Sequence, residues 1–436
     1  MEIFKQILAA VVAVVLGLTS APTAPAPYTA ALTAASQWDS GSDHFTQYDL
    51  TITAQTAVDG WQVTLTGNAQ LEQCWSCTVT STEGGFAVAP ADYNAAIGAG
   101  ESVTVGFIVK GGPLEVSGVP APTTPAPKPP VEVSVPVGEA KALHVEGTHL
   151  ADPEGNLVQL RGVSTHGLAW FPDYVNEDAF RTLRDDWGAN VVRLAMYTAE
   201  YGGYCNGGDR TALKNLIDKG VKAADKLGMY VIIDWHILQD GNPTTHQAEA
   251  VEFFAEMSAK YASYDNVLYE ICNEPQNSPW DSVIKPYAEA VLPAIRQNDP
   301  DAIVIVGTNT WSQDVDQVIG SRLDDANVVY TFHFYAATHK DSYRDKVKKA
   351  LDAGVPVFVS ECGLCDASGG GGVDQTSAKA WFDLLNERGV SFVAWSLCNK
   401  NETAALIRSD CAKLSDWTEA DLTESGRLYR AAIRGE

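Results

Sequence analysis

The chain has 436 residues, of which 45% are hydrophobic, and its 55 acidic and 30 basic side chains give a formal net charge of −25. This length allows two or three domains with sizeable apolar cores. The strong negative charge argues against nucleic acid or an anionic membrane surface as a partner, because both select basic patches.

The chain begins with a nearly unbroken apolar run at residues 7–18, which Lys5 precedes and small residues follow. The run is too short to cross a bilayer as a helix. Residues 1–24 are therefore predicted to be a signal peptide, and a buried N-terminal helix is the alternative. We expect an extracellular protein that has no membrane segment in its mature form.

The chain contains eight cysteines, an even number that fits an oxidising compartment. Cys74 with Cys77 and Cys362 with Cys365 have C-x-x-C spacing, but no histidine follows either pair at the spacing of a zinc finger. Disulfide bonds and buried thiols remain the two interpretations. Neither a metal nor a cofactor is predicted.

Residues 36–112 alternate short apolar segments with turns rich in Gly, Asn and Asp. Strands are predicted at 48–52, 61–65, 77–80, 86–88 and 103–109. The pattern predicts a small all-β sandwich domain. Residues 113–138 are rich in proline and are predicted to form an extended linker.

The small domain contains four segments that resemble bacterial family 2 carbohydrate-binding modules. They are QWDSG (37–41), VDGWQVTL (58–65), LEQCWSCTVT (71–80) and YNAAIGAGESVTVGF (93–107). The resemblance implies that Trp38, Trp75 and Tyr93 form a flat strip that stacks on sugar rings, as aromatic faces can, and that Trp61 lies in the core. Such a strip implies an insoluble polysaccharide such as cellulose. The alternative is that these aromatic side chains are ordinary core residues.

Residues 141–436 alternate apolar strands with amphipathic helices. Strands are predicted at 158–164, 191–196, 230–235, 268–273, 303–307, 328–332, 357–360 and 392–396. Helices are predicted at 177–187, 212–227, 247–261, 281–297, 342–353 and 375–388. This order predicts a (β/α)8 TIM barrel of the α/β class. An open doubly wound sheet is the alternative, but no G-x-G-x-x-G motif follows any strand.

Active sites of such barrels lie at the carboxyl ends of the strands, where two glutamates stand out. Glu274 follows the fourth strand in YEICNEP, and Glu361 follows the seventh in FVSECG. Cleavage of a glycosidic bond needs an acid for the leaving oxygen and a carboxylate for the oxocarbenium-like centre. We therefore predict that Glu274 and Glu361 form a catalytic pair on either side of a central cleft.

Three neighbouring side chains are expected to tune this pair. Arg193 is expected to hydrogen-bond Glu361 and to hold it ionised, with Tyr335 as a second donor. Burial is expected to keep Glu274 protonated, with His333 positioning it.

Motifs along the large domain resemble glycoside hydrolase family 5, and most of all its bacterial endoglucanase branch. They are RLAMYT (193–198), YVIIDWHIL (230–238), YEICNEP (269–275), GTNTWSQDVD (307–316), HFYAATH (333–339), FVSECG (358–363) and WSLCNKNE (395–402). The resemblance covers residues 143–433 and implies a retaining double displacement, with Glu274 as acid/base and Glu361 as nucleophile.

The resemblance also implies supporting roles for further residues. Those around the catalytic pair are Arg193, His236, Asn273, His333, Tyr335 and Trp395, with Asn273 binding the sugar 2-hydroxyl. Those in substrate subsites are His166, Trp170, Tyr197, Trp311, Lys400 and Glu402. One departure concerns the residue after the nucleophile, which is usually Trp in this branch and is Cys362 here. A disulfide bond from Cys362 is one way to compensate for the smaller side chain.

Together these features predict a secreted, monomeric endo-β-1,4-glucanase that hydrolyses cellulose and related β-glucans. The small domain would hold the barrel near the polymer through the linker. Two alternatives stay open. The same machinery could act mainly on mannan, lichenan, xyloglucan or xylan, or the chain could be a polysaccharide-binding protein without catalysis.

Overall fold

A computed structural model describes residues 27–91, 94–118 and 130–436 of the chain. The chain divides into two compact units between Lys128 and Pro129. The predicted signal peptide and the predicted sugar-stacking Tyr93 lie outside the described residues. Within the described residues, no helix has the length and apolar character needed to cross a membrane.

The smaller unit consists of two antiparallel four-stranded sheets, ordered β1-β2-β7-β4 and β5-β6-β3-β8. Its strands are β1 (Tyr28–Ser40), β2 (Asp43–Ala54), β3 (Val63–Thr66), β4 (Ala69–Trp75), β5 (Cys77–Thr82), β6 (Gly85–Pro90), β7 (Ser102–Gly111) and β8 (Glu115–Gly118). Leu50 and Phe107 of the first sheet share one apolar core with Leu65 and Val88 of the second. This arrangement confirms the predicted β-sandwich.

The structure differs from the predicted domain boundaries at both ends of the sandwich. Strand β1 begins at Tyr28, before the predicted start at residue 36, and Tyr28 is fully buried. Strand β8 lies within the predicted linker, where it pairs with β3. The predicted linker also extends too far at its other end, since Ser134 forms a bridge with Val158 of the larger unit. The high proline content predicted an unpaired linker here. Proline does not exclude such short pairings, however, because it is compatible with edge strands.

The larger unit is a closed barrel of parallel strands, which confirms the predicted TIM-barrel fold. Its strands are β12 (Arg161–Thr165), β13 (Val191–Tyr197), β14 (Tyr230–His236), β15 (Val267–Glu270), β16 (Val304–Val306), β17 (Val328–Tyr335), β18 (Val357–Gly363) and β19 (Phe392–Leu397). Each strand begins and ends within three residues of its predicted bounds, because each is an apolar run buried on both faces.

The helices of the larger unit surround the barrel. They are α1 (Glu177–Asp185), α2 (Arg210–Lys226), α3 (Gln247–Tyr261), α4 (Lys285–Arg296), α6 (Asp341–Asp352), α7 (Gln375–Glu387) and α8 (Glu424–Arg434), with the single left-handed turn α5 (Asn309–Ser312) between α4 and α6. Side-chain caps fix several starts; the Asn176 side chain, for example, accepts from the backbone N–H of Ala179 at 2.7 Å. The sequence analysis predicted neither α5 nor α8.

A small sheet closes the amino-terminal end of the barrel. Its strands β9 (His144–Glu146), β10 (His149–Ala151) and β11 (Leu157–Val158) are ordered β11-β10-β9. Leu143 and Leu150 pack there in one apolar cluster with Tyr230 and Phe358 of the barrel strands. Apolar side chains therefore close the amino-terminal end of the barrel. The polar side chains described next lie at the opposite end, where the strands have their carboxyl ends.

Candidate active site

A cleft of about 740 Å³ lies at the carboxyl ends of the barrel strands. Its walls bring together most of the predicted site residues. These are His166, Trp170, Tyr197, His236, Glu274, Trp311, His333, Tyr335, Glu361, Trp395, Lys400 and Glu402. Arg193 and Asn273 are fully buried behind this wall.

The two predicted catalytic glutamates face each other in the cleft. Glu361 is part of β18, whereas Glu274 lies in the loop after β15, which ends at Glu270 rather than at the predicted residue 273. One carboxylate oxygen of each lies within 4.8 Å of the other. Both side chains are almost wholly buried, so the pair is held in a region from which most water is excluded.

Arg193 of β13 connects several carboxylates beneath the cleft. Its Nη1 lies 3.1 Å from Glu361 Oε2, which is the contact that the sequence predicts. Its Nε lies 2.7 Å from Glu270 Oε2, and its Nη2 lies 3.1 Å from Asp234 Oδ2. Sequence reasoning left Glu270 out of the site, although a charged residue within a wholly apolar strand was a usable signal.

The Arg193 guanidinium carries one positive charge but contacts three carboxyl groups, so it cannot neutralise all of them. Burial raises the pKa of Glu274 to about 8 and that of Asp234 to about 7, although Arg193 lowers both. Burial also raises the pKa of Glu270. Because like charges at close range disfavour joint ionisation, some of these carboxyl groups retain a proton near neutral pH.

Within the catalytic pair, Glu361 has a donor to each of its two carboxylate oxygens. Arg193 donates to its Oε2, and the hydroxyl of Tyr335 donates to its Oε1 at 2.8 Å. Burial and the neighbouring Glu274 raise the pKa of Glu361, while His333 and Arg193 lower it. Donors to both oxygens favour the ionised form, so Glu361 is the member of the pair that loses its proton first.

His333 joins Glu274 to the buried carboxylates. Its Nδ1 lies 3.0 Å from Glu274 Oε1, and its Nε2 lies 2.9 Å from the Ser360 hydroxyl, which donates to Glu270 at 2.7 Å. Burial lowers the pKa of His333 to about 4, so the ring is neutral. When Glu270 is ionised and accepts the Ser360 proton, Nε2 of His333 is the donor to Ser360. Nδ1 is then left to accept from a protonated Glu274.

Asn273 and His236 form a second buried network. Nδ1 of His236 lies 2.6 Å from Asp234 Oδ2, and its Nε2 lies 3.3 Å from the Asn273 amide nitrogen. That amide also donates to the Ile237 carbonyl at 3.1 Å, and its oxygen accepts from Arg193 at 2.6 Å. A sugar 2-hydroxyl would therefore have to replace the 3.3 Å contact with His236 to accept from Asn273.

Aromatic side chains form the floor and rims of the cleft. Trp395 is buried and stacks on His236, with ring centroids 5.2 Å apart and an interplanar angle of 14°. Trp170 and Trp311 are 40% and 44% exposed at the rims. Trp311 has a left-handed φ of 55°, which is rare for a bulky side chain and is tolerated mainly at functional sites.

A charged pair lies beyond these aromatic rings. Lys400 Nζ lies 2.6 Å from Glu402 Oε2, and Glu402 Oε1 lies 3.9 Å from Nε2 of His166. Burial and the Lys400 charge lower the pKa of His166 to about 3, so its ring is neutral. Its Nδ1 accepts from the backbone N–H of Gly167 at 2.7 Å, which leaves the ring proton on Nε2, the nitrogen nearer Glu402. The structure thus brings these three predicted subsite residues together at one end of the cleft.

Glu200 lines the cleft but was missed by sequence reasoning. It is 4% exposed, and its Oε1 accepts from the backbone N–H of Gln239 at 2.9 Å. Its Oε2 is buried and has no hydrogen-bond partner within the described part of the chain. Burial raises the pKa of Glu200. Its position just after β13, at the carboxyl end of a strand, was a signal that could have found it.

The disulfide bond considered for Cys362 is absent, because all eight cysteines of the chain are free thiols. Cys362 is fully buried in β18, where its thiol donates to the Val393 carbonyl at 3.3 Å. Its carbonyl accepts from the hydroxyl of Tyr429 in α8 at 2.5 Å. Packing against the neighbouring strand and the unpredicted α8, rather than a covalent bond, therefore accommodates the small side chain.

The smaller unit presents two of the three predicted sugar-stacking residues on one sheet. Trp38 of β1 and Trp75 of β4 are 40% and 38% exposed and lie on the outer face of the β1-β2-β7-β4 sheet. The Trp75 ring covers Gly106, where a Cβ atom would approach it to 2.2 Å. Trp61 is 3% exposed and lies in the core, as the resemblance implied.

Two family models match the chain. The model for cellulase (glycosyl hydrolase family 5) matches residues 151–401, and the model for the cellulose binding domain matches residues 28–123. Together they cover the barrel with its cleft and the sandwich with its two exposed tryptophans.

Several curated relatives are similar to the chain. Endoglucanase A from Butyrivibrio fibrisolvens is 49% identical over 65% of the chain and 66% of the relative. Endoglucanase 5 from Pectobacterium carotovorum is 47% identical over 69% of the chain and 59% of the relative. The chain thus spans about two thirds or less of the length of these relatives. Endoglucanase E-5 from Thermobifida fusca is 34% identical over 98% of the chain and 96% of the relative.

Solved structures resemble the larger unit. The catalytic domain of the Thermobifida fusca endoglucanase Cel5A (E5) superposes with a TM-score of 0.65 and 37% identity, covering 68% of this chain and 98% of that domain. A single-residue variant of that domain is also known in complex with cellotetraose.

Proposed function

The chain belongs to glycoside hydrolase family 5, the cellulase family, and on that premise we propose that it is a secreted endo-β-1,4-glucanase acting with retention of configuration. One observation carries the stereochemical part. Oxygens of Glu274 and Glu361 lie within 4.8 Å of each other. Retaining enzymes hold their carboxyl groups about 5–5.5 Å apart, whereas inverting enzymes need about 6.5–9.5 Å to admit a water molecule.

In the first step, the ionised Glu361 attacks the anomeric carbon while Glu274 donates its proton to the leaving oxygen. The surroundings support this division of roles. Arg193 and Tyr335 donate to Glu361, whereas the raised pKa of Glu274 keeps a proton on it near neutral pH. The products of this step are a glycosyl ester on Glu361 and a shortened chain with a free hydroxyl.

In the second step, Glu274 acts as a base and removes a proton from water, which then attacks the same anomeric carbon. Formation of the ester has by then removed the negative charge of Glu361, so the pKa of Glu274 is lower and Glu274 can act as a base. The pKa of Glu274 rises again as the ester breaks and Glu361 regains its charge. While Glu274 is protonated, Nδ1 of His333 accepts from it and orients it, because the ring is fixed by Ser360 on the other side. Both carboxyl groups return to their starting protonation states.

The substrate that we propose is cellulose or a related β-glucan. The cleft offers aromatic rings at its floor and rims, together with hydroxyl-binding polar groups, as an uncharged polysaccharide requires. Relatives named endoglucanase and the cellotetraose complex of the Thermobifida fusca domain support this choice. We further propose that the sandwich holds the barrel near insoluble polymer by the outer faces of Trp38 and Trp75, with Tyr93 as the third stacking residue. The mature enzyme would act as an extracellular monomer.

The stereochemical test is the anomeric form of the first product. Nuclear magnetic resonance of a cello-oligosaccharide digest is expected to record the β-anomer before mutarotation. Early appearance of the α-anomer would contradict retention.

The assignment of roles is tested with Glu361→Gln and Glu274→Gln. The first should abolish release of reducing sugar, and the second should lower kcat by about 10²–10⁴-fold, the usual contribution of a general acid. Glu256→Gln, on the surface in an ion pair with Lys214, is a matched control that should keep full activity. A panel of carboxymethyl cellulose, lichenan, mannan, xylan and xyloglucan tests the glycan, and faster turnover of any non-glucan would overturn that part.

A further inference from the structure

Three metal-ligating side chains converge outside the catalytic cluster, on the loops that follow β13 and β14. They are Cys205, His246 and Glu249, and one ligand atom of each lies within 4.8 Å of the ligand atoms of the other two. All three side chains are half-buried, which leaves the cluster accessible to an ion from solvent. The proposed mechanism uses none of them.

The backbone fixes the positions from which these side chains converge. In the loop after β13, the N–H of Cys205 donates to the Thr198 carbonyl at 2.9 Å. His246 ends a 3-10 helix, and Glu249 lies in the first turn of α3, three residues later and on the same helical face. Nδ1 of His246 lies 3.8 Å from Glu249 Oε1, which is too far for a hydrogen bond.

We propose that Cys205, His246 and Glu249 bind a divalent cation of the zinc class, with water as the fourth ligand. Sulfur, imidazole nitrogen and carboxylate oxygen are the ligands that zinc uses in proteins. Bonds of about 2.0–2.3 Å in a tetrahedron place ligand atoms about 3.3–3.8 Å apart. His246 and Glu249 already lie 3.8 Å apart. The two distances to Cys205 are within 4.8 Å and need a contraction of at most roughly 1 to 1.5 Å, which half-exposed side chains can make by rotamer adjustment.

The charges around the cluster fit a cation. A thiolate and a carboxylate would neutralise a divalent ion, and Asp240 adds negative charge nearby while Arg210 opposes it. Zinc binds cysteine as the thiolate, so binding would release a proton from Cys205.

The ion would join the loop after β13 to the start of α3. That loop also supports the cleft, because the Tyr201 carbonyl accepts from Nε1 of Trp170 at 3.1 Å. A bound ion therefore restrains the backbone that holds one aromatic rim of the cleft. An effect of the ion on substrate binding rests on the proposed function, whereas binding of the ion itself does not.

The experiment is a calorimetric titration of the full-length, reduced protein with Zn²⁺, repeated with Co²⁺ under absorbance detection. We expect one equivalent to bind, with a sulfur-to-cobalt charge-transfer band in the near ultraviolet. Cys205→Ser should remove the band and weaken Zn²⁺ binding by at least about tenfold. Even the loss of a residue that only hydrogen-bonds to a metal ligand lowers metal affinity by about 10–100-fold. Glu249→Gln is a second variant that leaves the thiol in place and should also weaken binding.

Two control variants separate this cluster from other places where zinc could bind. Cys74→Ser removes a thiol of similar burial in the sandwich and should leave the affinity unchanged. Glu274→Gln removes a ligand from the catalytic cluster, which has comparable spacing, and should also leave the affinity unchanged. The proposal is overturned if no zinc binds, if the cobalt spectrum lacks the sulfur band, or if either control abolishes binding while Cys205→Ser does not. If the unsubstituted protein binds zinc but has no endoglucanase activity, only the proposed function is contradicted.

Discussion

At the scale of single residues, Arg193 determines how charge is distributed beneath the cleft. It is fully buried and contacts Asp234, Glu270 and Glu361. Burial alone would lower its pKa, but these three carboxylates raise it above the ordinary guanidinium value. A buried cation that serves several anions is costly to remove, because the anions remain without compensation.

We predict that Arg193→Met lowers the free energy of unfolding by about 3–5 kcal/mol at pH 7, the usual effect of breaking a buried ion pair. The loss should be smaller at pH 5, because the orphaned carboxyl groups are protonated more readily there. Urea unfolding at both pH values measures it. An equal loss at the two values would mean that the carboxylates do not depend on Arg193 for their charge.

The raised pKa of Glu274 predicts the alkaline limit of activity. The group must be protonated in the first step, so activity is present below its pKa and is lost as the pH rises through about 8. The measurement is kcat/KM on a soluble glucan against pH. An aryl cellobioside with a good leaving group needs no acid in this step, so its kcat/KM should not fall near pH 8. A parallel fall would assign the limit to another group.

Gly106 is predicted to control the sugar-stacking surface of the sandwich. Gly106→Ala places a Cβ where the Trp75 ring lies, so the ring must tilt away from the sheet. Binding to insoluble cellulose should weaken about 2- to 10-fold, within the energy of an aromatic contact. Activity on soluble glucan should not change. Gly118→Ala, where the nearest atom lies 4.0 Å away, is the control. Unchanged binding by Gly106→Ala would exclude Trp75 from the binding surface.

At the scale of elements, α8 supports the strand that carries Glu361. Its Tyr429 donates to the carbonyl of Cys362, the residue after Glu361 in β18. The Thr423 hydroxyl accepts from the N–H of Gly426 at the start of the helix and donates to the Ala405 carbonyl at 2.6 Å. One capping side chain therefore connects the helix to the segment after β19.

We predict that Thr423→Ala destabilises the barrel by about 1–2 kcal/mol, because it removes a helix cap and leaves the Ala405 carbonyl short of a donor. Chemical denaturation measures the change. Thr423→Ser should retain most of the stability, since it keeps the hydroxyl. If both variants lost stability equally, the methyl contact rather than the cap would be responsible.

At the scale of the whole molecule, the two units define where the chain can be divided. The segment before β9 belongs to the larger unit, since the N–H of Val131 donates to the Glu387 carbonyl at 3.0 Å and Ser134 pairs with Val158. Removal of the sandwich should therefore stop before residue 130. A cut at residue 140 would also remove contacts that the barrel uses.

Deletion of residues 1–129 is predicted to reduce activity on insoluble cellulose far more than activity on soluble glucan. The reason is that tethering raises the local concentration of the barrel only where there is a surface to bind. Initial rates on both substrates measure the effect, and an unchanged thermal midpoint of the barrel is the control. Equal losses on the two substrates would contradict a targeting role for the sandwich.

Local sequence patterns were enough to predict the fold and to name most residues of the candidate site. Buried parallel strands appear as apolar runs, so all eight barrel strands lie near their predicted bounds. Glu274 and Glu361 follow two of these strands, and barrel geometry then requires them to share one end. The predicted contacts of Glu361 with Arg193 and Tyr335 are present for the same reason.

The sequence did not predict which distant residues share a charge, a proton or a candidate metal site, because these groupings arise from folding. Glu270 and Asp234 join Arg193 from neighbouring strands, and the bonds of Ser360 determine which nitrogen of His333 carries the proton. These relations depend on distances of a few ångströms between residues far apart in sequence, which no local pattern encodes. The pairing of β8, the place of α8 and the free thiol of Cys362 were decided in the same way, by packing among distant segments.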